Sequence, residues 1–320
     1  MRFEDVVFEN QPCPLGCPPE DELVLVGRDR LHDLPGEFRV VRCRACGLIR
    51  TNPRPTPQTM AFYYPDDYGP YHDTRVRVPN GTPFGLNALK RSLTNRLNHF
   101  TLADHVPALA PGRMLEFGCA SGLFMHSMAA LGWKVEGIEF AEKAAAEARS
   151  LGYPVHAGAL EDAPEPEERY DLVVGWMVLE HLHDPVKALS KLHSWTRPGG
   201  WLAVSTPNVG SLEFSLFKDA WLALHLPNHL YQYTPETITR VLERGGWQVR
   251  EVFHQRQLSN LLASCGFVLK DRRSLARLSE KLIRFPENGG KLHYLLYPVS
   301  YLLSLAGQTG RMTVWAQKSR

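Results

Sequence analysis

From residue 111 onward, short apolar runs alternate with amphipathic stretches of helical period. This alternation predicts βαβ units, in which parallel strands form one sheet and the connecting helices cover it. We predict strands near seven stretches, namely 113–118, 134–139, 154–156, 170–175, 200–206, 247–253 and 312–317. Helices are predicted near 121–131, 141–151, 185–196 and 235–244. The chain is therefore expected to have an α/β fold built on a mostly parallel sheet.

Two local signals place helix boundaries within this pattern. The segment "RPGG" at 197–200 is expected to end a helix and to turn the chain into the next strand. The segment "TPETI" at 234–238 is expected to start a helix, because Thr234 can act as the N-cap and Pro235 suits the first helical turn.

The loop after the first predicted strand of the sheet reads "EFGCASG", residues 116–122. Its glycines, Gly118 and Gly122, are spaced G-x-x-x-G, whereas a dinucleotide loop requires G-x-G-x-x-G to bring a pyrophosphate against backbone amides. Glu116 would repel such a pyrophosphate by on the order of several kcal/mol at an effective dielectric constant of about 20. The same carboxylate suits a ligand with a cationic group, such as an α-ammonium, so a nicotinamide dehydrogenase is disfavoured.

A second acid follows the next predicted strand, in "GIEF". Glu139 lies 21 residues after Gly118, a spacing at which a carboxylate can accept hydrogen bonds from ribose hydroxyls. The two acids together indicate a nucleoside with a free ribose diol, a cationic amino-acid end and no phosphate. S-adenosylmethionine (SAM) fits that description.

With these residues in place, the sequence resembles the class I SAM-dependent methyltransferases of the small-molecule type. The resemblance is carried by "LEFGCASGLF", "GIEF", "HAGALED", "YDLVVGWMVLEHLHDP" and "RPGGWLAVSTPN", and it covers roughly residues 111–255. It implies a Rossmann-like seven-stranded methyltransferase sheet with helices on both faces, and an enzyme that uses SAM as its cofactor.

The resemblance also implies roles for individual residues. Glu116 would contact the methionine end of SAM, Glu139 would hold the ribose, and the loop glycines would let the backbone approach the cofactor. Ala120 stands where the family loop commonly has glycine, and alanine is tolerated there if its φ is negative. The turn at 159–160 would contact adenine, and the end of the fourth strand would border the methyl group. The implied cofactor-binding residues are Glu116, Gly118, Cys119, Ala120, Gly122, Glu139, Phe140, Ala159, Leu160, Trp176 and Met177.

Four of the six cysteines form two pairs near the N-terminus. Cys13 and Cys17 are spaced C-x3-C, Cys43 and Cys46 are spaced C-x2-C, and 25 residues separate the pairs. Four thiolates on two such turns predict a tetrahedral zinc site, which is structural because no ligand position stays open. Some methyltransferases of this class that act on sugars carry a similar N-terminal zinc module. A redox pair or unrelated core cysteines are the alternatives.

The candidates for general base are histidines and tyrosines in two segments. "LEHLHDP" contains His181 and His183, and "LHLPNHLYQYT" contains His225, His229, Tyr231 and Tyr233. Of these we predict His181, His229 and Tyr231 as catalytic residues, because His181 follows the fourth strand and the other two lie in the insertion after the fifth. Alternatively, His181 serves a structural or cofactor-side role, and His229 and Tyr231 pack a lid over the substrate.

The charge distribution bears on the partner. The net charge of +2 is too small to indicate nucleic acid by itself, although residues 25–55 hold seven arginines that form either an anion-binding face or a solvated surface. The fourth strand also lacks the Asn/Asp-Pro-Pro-aromatic turn of enzymes that methylate amino groups of nucleic acids. We therefore predict methyl transfer to an oxygen or a carbon atom of a small-molecule acceptor, such as a sugar or glycan precursor. An RNA methyltransferase and a non-catalytic scaffold with a SAM fold remain the alternatives.

Composition changes along the chain predict four regions. Residues 1–50 form a zinc-ribbon-like module, 51–110 a linker and a helical, aromatic lid that includes "FYYPDDYGPY", 111–255 the SAM-binding core, and 256–320 the C-terminal helices and last core strand. That aromatic segment either closes over the cofactor or packs between the module and the core. The apolar run near 293–307 is too short to span a bilayer and contains Pro298, so it is a buried helix or makes weak peripheral membrane contact. A cytoplasmic location is expected, since the N-terminus shows no apolar signal segment.

Overall fold

The computed structural model describes residues 2–65, 106–270, 275–288 and 295–320. Most of the predicted lid, including Asp66, Asp67, Tyr68 and Tyr71, lies outside these ranges. The N-terminal part contains the short strands β1 (Phe8–Glu9), β2 (Asp21–Gly27), β3 (Phe38–Cys43), β4 (Ile49–Thr51) and β5 (Arg54–Pro55).

Strands and helices alternate after residue 106, as the sequence pattern predicts. The strands are β6 (Arg113–Phe117), β7 (Lys134–Glu139), β8 (Val155–Ala157), β9 (Tyr170–Trp176), β10 (Thr196–Pro207), β11 (Tyr231–Gln232), β12 (Gln248–His254) and β13 (Arg311–Gln317). The helices between them are α1 (Leu123–Ala129), α2 (Glu142–Ser150), α3 (Pro185–Trp195), α4 (Leu212–Phe217) and α5 (Pro235–Arg244).

Seven of these strands form one sheet in the order β12-β13-β10-β9-β6-β7-β8. Strands β8, β7, β6, β9 and β10 pair in parallel, and β13 is antiparallel to both β10 and β12. The strand order reverses beside β6, so ligands are expected where the carboxyl ends of β6 and its neighbours meet. The prediction of a seven-stranded, mostly parallel sheet is confirmed.

Both faces of the sheet are covered, because each central strand is apolar on both sides. Met114, Leu172 and Val174 pack on the face that carries α1 and α2. Leu115 and Val173, their neighbours in sequence, pack on the opposite face with α3, α5 and the N-terminal strands. The Rossmann-like arrangement with helices on both faces is therefore confirmed.

The N-terminal strands do not form an isolated sheet. Their order is β11-β4-β3-β2, so the outermost strand, β11, comes from the insertion after β10. Tyr231 of β11 pairs with Arg50 of β4, and Gln232 pairs with Ile49. One sheet therefore crosses the boundary predicted at residue 50, and the division into four regions stays a prediction.

The two helix-boundary expectations have different outcomes. The start of α5 is as predicted, since the Thr234 side chain accepts a hydrogen bond from the Thr237 N–H and Pro235 occupies the first turn. The expectation that "RPGG" ends the helix is wrong, because the helix already ends at Trp195, before this segment. Strand β10 already begins at Thr196, and its pairing with β9 shifts register between Thr196 and Trp201. Gly199, with φ of 74°, supplies the irregular step inside the extended segment.

The chain ends in helices followed by the last strand of the sheet. These are α6 (Ser259–Lys270), α7 (Ala276–Ile283), α8 (Phe285–Asn288) and α9 (Tyr297–Leu305). Across the parts of the chain that the structure describes, no helix is long and apolar enough to cross a membrane. Leu302 and Leu305 of α9 are exposed rather than buried.

Candidate functional site

The glycine loop, residues 116–122, has a backbone conformation and close neighbours that require glycine. Gly118 has φ of 71° and Gly122, the N-cap of α1, has φ of 83°. A Cβ atom on Gly118 would lie 2.3 Å from Cγ2 of Val178, the residue that follows the end of β9 by two positions. Glu116, at the end of β6, is buried. Glycine is therefore required at position 118 both for its backbone conformation and because the neighbouring chain is so near.

Glu139 joins this loop to the next strand. Its Oε2 accepts a hydrogen bond from the Ala120 N–H at 2.8 Å, and its Oε1 accepts one from the Ala141 N–H at 2.8 Å. Burial raises the pKa of Glu139, while the backbone N–H groups act in the opposite direction. Each carboxylate oxygen keeps a further lone pair for a ligand hydroxyl.

The condition of a negative φ, under which alanine would be tolerated at position 120, is not met. Ala120 has φ of 45°, in the left-handed region that usually favours glycine. The hydrogen bond from its N–H to Glu139 accompanies this conformation and offers a physical reason for it. The loop therefore keeps the backbone path of a glycine at this position while carrying an alanine.

The remaining predicted cofactor residues follow the ends of β7, β8 and β9. Phe140 directly follows Glu139 and is 62% exposed, whereas Leu160, in the turn after β8, is buried in the core. Trp176 packs edge-to-face against Phe124, with ring centroids 5.0 Å apart. The Met177 N–H donates to the Ser205 carbonyl at 3.0 Å.

Cys119 is enclosed beneath the loop. It is 3% exposed, and a Cβ atom on Gly137 would lie 2.7 Å from its Sγ. Burial raises the pKa of Cys119, so the residue stays an unreactive thiol at neutral pH. The predicted cofactor residues thus lie at the carboxyl ends of four adjacent strands, β8, β7, β6 and β9.

A cluster of histidines and one glutamate follows the end of β9. Ligand atoms of Glu180, His181 and His229 all lie within 4.8 Å of one another. The rings of His181 and His229 are 4.6 Å apart, and the ring of His225 is 4.9 Å from that of His229. The Tyr64 hydroxyl lies 2.9 Å from Nδ1 of His181. The fold thus brings together two predicted catalytic residues that are 48 positions apart.

Burial dominates the protonation of this cluster. It lowers the pKa of His181 to about 4 and that of His225 to about 3. It also places the pKa of His229 well below its usual range, with the neighbouring histidines acting in the same direction. Burial raises the pKa of Glu180 to about 8. The imidazoles are therefore neutral at physiological pH.

Sequence reasoning missed Glu180 as a member of this group. Its side chain is fully buried, and its backbone carbonyl accepts a hydrogen bond from the Leu230 N–H at 2.8 Å. The adjacent letters "EH" were the available signal. They did not reveal that the insertion after β10 would return His229 to the same place.

Tyr231 lies at the junction with the N-terminal strands. Its hydroxyl accepts a hydrogen bond from Nη1 of Arg54 at 3.1 Å and donates one to the His183 carbonyl at 3.2 Å. The same Arg54 nitrogen also donates to that carbonyl, at 2.9 Å, and Nε of Arg54 pairs with Glu9. This hydroxyl therefore makes structural contacts, and its catalytic role stays a prediction.

The four N-terminal cysteines converge. The sulfur atoms of Cys13, Cys17, Cys43 and Cys46 all lie within 4.8 Å of one another. Each pair closes on a turn: the Gly16 N–H donates to the Cys13 carbonyl, and the Gly47 N–H donates to the Cys43 carbonyl. Both glycines have positive φ. This donor set and spacing fit one tetrahedral metal ion held by sulfur.

The arginines of residues 25–55 do not form a free basic face. Four of the seven pair with acids: Arg30 with Asp219, Arg42 with Glu22, Arg50 with Asp21 and Arg54 with Glu9. Two of these, Arg50 and Arg54, are also buried. The charge that the sequence concentrates here is largely neutralised within the fold.

Together, the sheet order, the glycine loop and the two acids at the carboxyl ends of β6 and β7 define an α/β protein with a candidate ligand site at its strand ends. Comparison with known families agrees with this description. The family described as "Methyltransferase domain" matches residues 90–252, which is 163 of the 320 residues. The chain belongs to this family, which confirms the resemblance to class I SAM-dependent methyltransferases on which the expectation of an enzyme rests.

Individual relatives match about half of the chain. A protein of Mycolicibacterium smegmatis named "Probable S-adenosylmethionine-dependent methyltransferase" is 33% identical over 48% of this chain and 60% of its own length. A ubiquinone biosynthesis O-methyltransferase of Aromatoleum aromaticum is 31% identical over 47% of this chain and 69% of its own length. The crystal structure of an S-adenosylmethionine-dependent methyltransferase from Mesorhizobium loti aligns with a TM-score of 0.43 and 18% identity, covering 67% of this chain and 94% of that chain. The chain thus spans less than two thirds of the first relative.

Proposed function

We propose that this chain transfers the methyl group of SAM to an oxygen atom of a small-molecule acceptor. One observation carries the proposal: Glu116 and Glu139 are buried at the carboxyl ends of adjacent parallel strands, on either side of a loop with positive φ at Gly118 and Gly122. A buried acid pair of this kind suits a cationic, phosphate-free nucleoside.

SAM, when bound, supplies an electrophilic methyl group on its sulfonium. The chain's own residues bind SAM and orient it. The Glu116 carboxylate favours the cationic amino-acid end, Glu139 accepts hydrogen bonds from the ribose hydroxyls, and the backbone around Gly118 allows close approach. Phe140, exposed beside Glu139, offers an aromatic face to the adenine. Orientation of this kind is the main contribution expected of the protein in an in-line methyl transfer.

The histidine cluster indicates what kind of acceptor suits the site. His181 and His229 are held neutral by burial, so they can accept a proton but are weak bases. Such groups suit an acidic hydroxyl, as in a phenol or enol, better than an alcohol of a sugar. The relatives named as ubiquinone biosynthesis O-methyltransferases support transfer to oxygen.

The cofactor assignment is tested by Glu139→Ala. We expect SAM affinity, measured by titration calorimetry, to fall by more than about ten-fold, since a charge-assisted hydrogen bond contributes about 1.5–3 kcal/mol. Glu142→Ala is the matched control, because Glu142 is close in sequence but exposed on α2, where it pairs with Arg149. Equal SAM affinity in wild type and Glu139→Ala would refute the assignment of SAM to this site.

We further propose that Cys13, Cys17, Cys43 and Cys46 hold one structural zinc ion. The convergence of four sulfurs on two turns supports this, and zinc is the ion that such a site usually holds. Elemental analysis of purified protein should give about one zinc per chain, and Cys43→Ser/Cys46→Ser should lose it. Protein that folds fully without metal would count against the proposal.

The RNA and scaffold alternatives are less well supported. Four arginines of the basic stretch are paired with acids, which weakens the case for a phosphate-binding face. The buried acids at 116 and 139 weaken the case for a site without a cofactor. Measurable RNA affinity that falls steeply with salt would revive the first alternative. A cytoplasmic location remains a prediction.

A further inference from the structure

Glu180, His181 and His229 form a compact group that neither the cofactor site nor the cysteine site uses. Glu180 and His181 are adjacent in the turn after β9, and His229 lies in the insertion after β10. Their donor atoms lie within 4.8 Å of one another, and Nε2 of His229 is 3.9 Å from Oε1 of Glu180. Two imidazoles and one carboxylate form a donor set that binds first-row divalent cations in proteins.

Hydrogen bonds at Nδ1 of both histidines favour an Nε2 atom that is free to bind a metal ion. Nδ1 of His229 lies 2.8 Å from the Ala223 carbonyl, and Nδ1 of His181 lies 3.0 Å from the Asn228 carbonyl. A carbonyl can only accept, so Nδ1 of His229 carries the proton and donates it. Nδ1 of His181 lies 2.9 Å from the Tyr64 hydroxyl as well, and the contact with the Asn228 carbonyl favours the same tautomer, with the hydroxyl as a second acceptor. Each Nε2 therefore keeps its lone pair. A histidine that ligates a metal ion characteristically donates its other nitrogen in this way.

The carboxylate of Glu180 is enclosed within the fold. Glu180 is 0% exposed, and its own backbone N–H, the Thr206 hydroxyl and, at longer range, Arg311 favour its charged form. Burial outweighs these groups and raises the pKa of the carboxyl. The buried carboxylate therefore remains costly, and coordination to a cation would compensate for that cost.

Backbone contacts from the N-terminal strands hold the group in place. The Thr51 hydroxyl donates to the His229 carbonyl at 3.0 Å, and the Thr51 N–H donates to the Leu230 carbonyl at 2.9 Å. The Leu230 N–H in turn donates to the Glu180 carbonyl at 2.8 Å. The two chain segments that carry the three donors are thus tied to each other and to β4, which is the preorganisation that a metal site needs.

We propose that Glu180, His181 and His229 bind one first-row divalent cation, and that its remaining coordination positions take the oxygen of the methyl acceptor. The second half rests on the proposed function. The charges support coordination of the acceptor oxygen. A doubly positive ion, the Glu180 carboxylate and one acceptor oxyanion together have a net charge of zero, which suits a buried site. A divalent ion would also make an acceptor hydroxyl more acidic, and His181 and His229 would then act as ligands rather than as bases.

The test uses the purified chain of 320 residues, with any metal at the cysteine site left in place. Mn²⁺ is the probe. Mn²⁺ prefers nitrogen and oxygen donors over thiolates, and its EPR signal reports free and bound ion separately. Wild type should bind about one Mn²⁺ per chain. Glu180→Gln and His229→Gln should weaken that binding by about ten-fold or more. Glu213→Gln, which changes another fully buried glutamate that bonds to Trp221 and Gly310, should leave it unchanged.

A second measurement keeps the proposal testable if the variants fail to fold. Pulsed EPR of Mn²⁺-loaded wild type should show coupling to coordinated imidazole nitrogen. Absence of Mn²⁺ binding, absence of that coupling, or equal binding by folded Glu180→Gln would overturn the metal site. Titration with SAM separates this from the proposed function: protein that binds Mn²⁺ but not SAM refutes the methyltransferase assignment alone. Protein that binds SAM but not Mn²⁺ refutes the metal site alone.

Discussion

Replacement of Gly118 by alanine tests how the glycine loop is built. The new Cβ would lie 2.3 Å from Cγ2 of Val178 and 3.3 Å from its Cβ. Rotation about χ1 moves only the methyl groups of Val178, so the close approach to its Cβ would persist. The backbone of the loop, or of the segment after β9, must therefore shift.

The magnitude follows from comparison with Gly152→Ala. Gly152 has φ of 90° and no atom within 4 Å of an added Cβ, so this variant meets only the cost of the left-handed region, about 1–2 kcal/mol. Gly118→Ala meets the same cost and about 1–3 kcal/mol more for overpacking. Because Gly118 adjoins the proposed cofactor, its variant should also bind SAM about ten-fold or more weakly, whereas Gly152→Ala should bind normally.

Urea unfolding gives the free energy of unfolding for both variants, and calorimetry gives their SAM affinity. If Gly118→Ala lost no more stability than Gly152→Ala and bound SAM equally well, the account of the loop would be refuted.

Three further perturbations follow from the same contacts. Ala120→Gly should raise the free energy of unfolding by up to about 1 kcal/mol. Glycine relieves the cost of the positive φ, and this gain exceeds the cost of the greater freedom of the unfolded chain. A variant that is less stable than wild type in urea would contradict this. Arg54→Lys should lower the free energy of unfolding by about 1–3 kcal/mol, because lysine keeps the charge beside Glu9 but cannot make all the hydrogen bonds of the guanidinium. Exposed Arg44→Lys should change it by less than about 0.5 kcal/mol, and similar urea midpoints for the two variants would argue against this. Burial raises the pKa of Glu213. Above about pH 4.3, the folded chain therefore retains a proton that the unfolded chain releases. The contribution of Glu213 to the free energy of unfolding falls as the pH rises from there. Glu213→Gln removes this pH-dependent loss of stability. If the free energies of unfolding of the variant and of wild type differed by the same amount at every pH between 4 and 7, the prediction would be wrong.

The sheet was predictable because its strands are buried on both faces and read as short apolar runs. Leu115 and Val173 face one layer while Met114 and Leu172 face the other, which makes each run continuous and its limits clear. The strand added by Tyr231 and Gln232 was not predictable, because only two residues pair and their partners lie in the N-terminal part.

The cofactor loop was partly predictable. Glu116, Gly118 and Glu139 follow from charge and spacing, whereas the φ of Ala120 depends on a hydrogen bond to Glu139, which is 19 residues away. The Glu180 group was harder still, since its third member, His229, is brought in by a long insertion. Spacing along the chain carries no information about such a contact.

Titration of wild-type protein with SAM and, separately, with NAD⁺ tests the central claim most directly. The account predicts that one SAM binds per chain and that NAD⁺ gives no measurable heat, because buried Glu116 and Glu139 accept a cationic, phosphate-free nucleoside and repel a pyrophosphate. Binding of NAD⁺ with an affinity equal to that of SAM, or no binding of SAM at all, would contradict it.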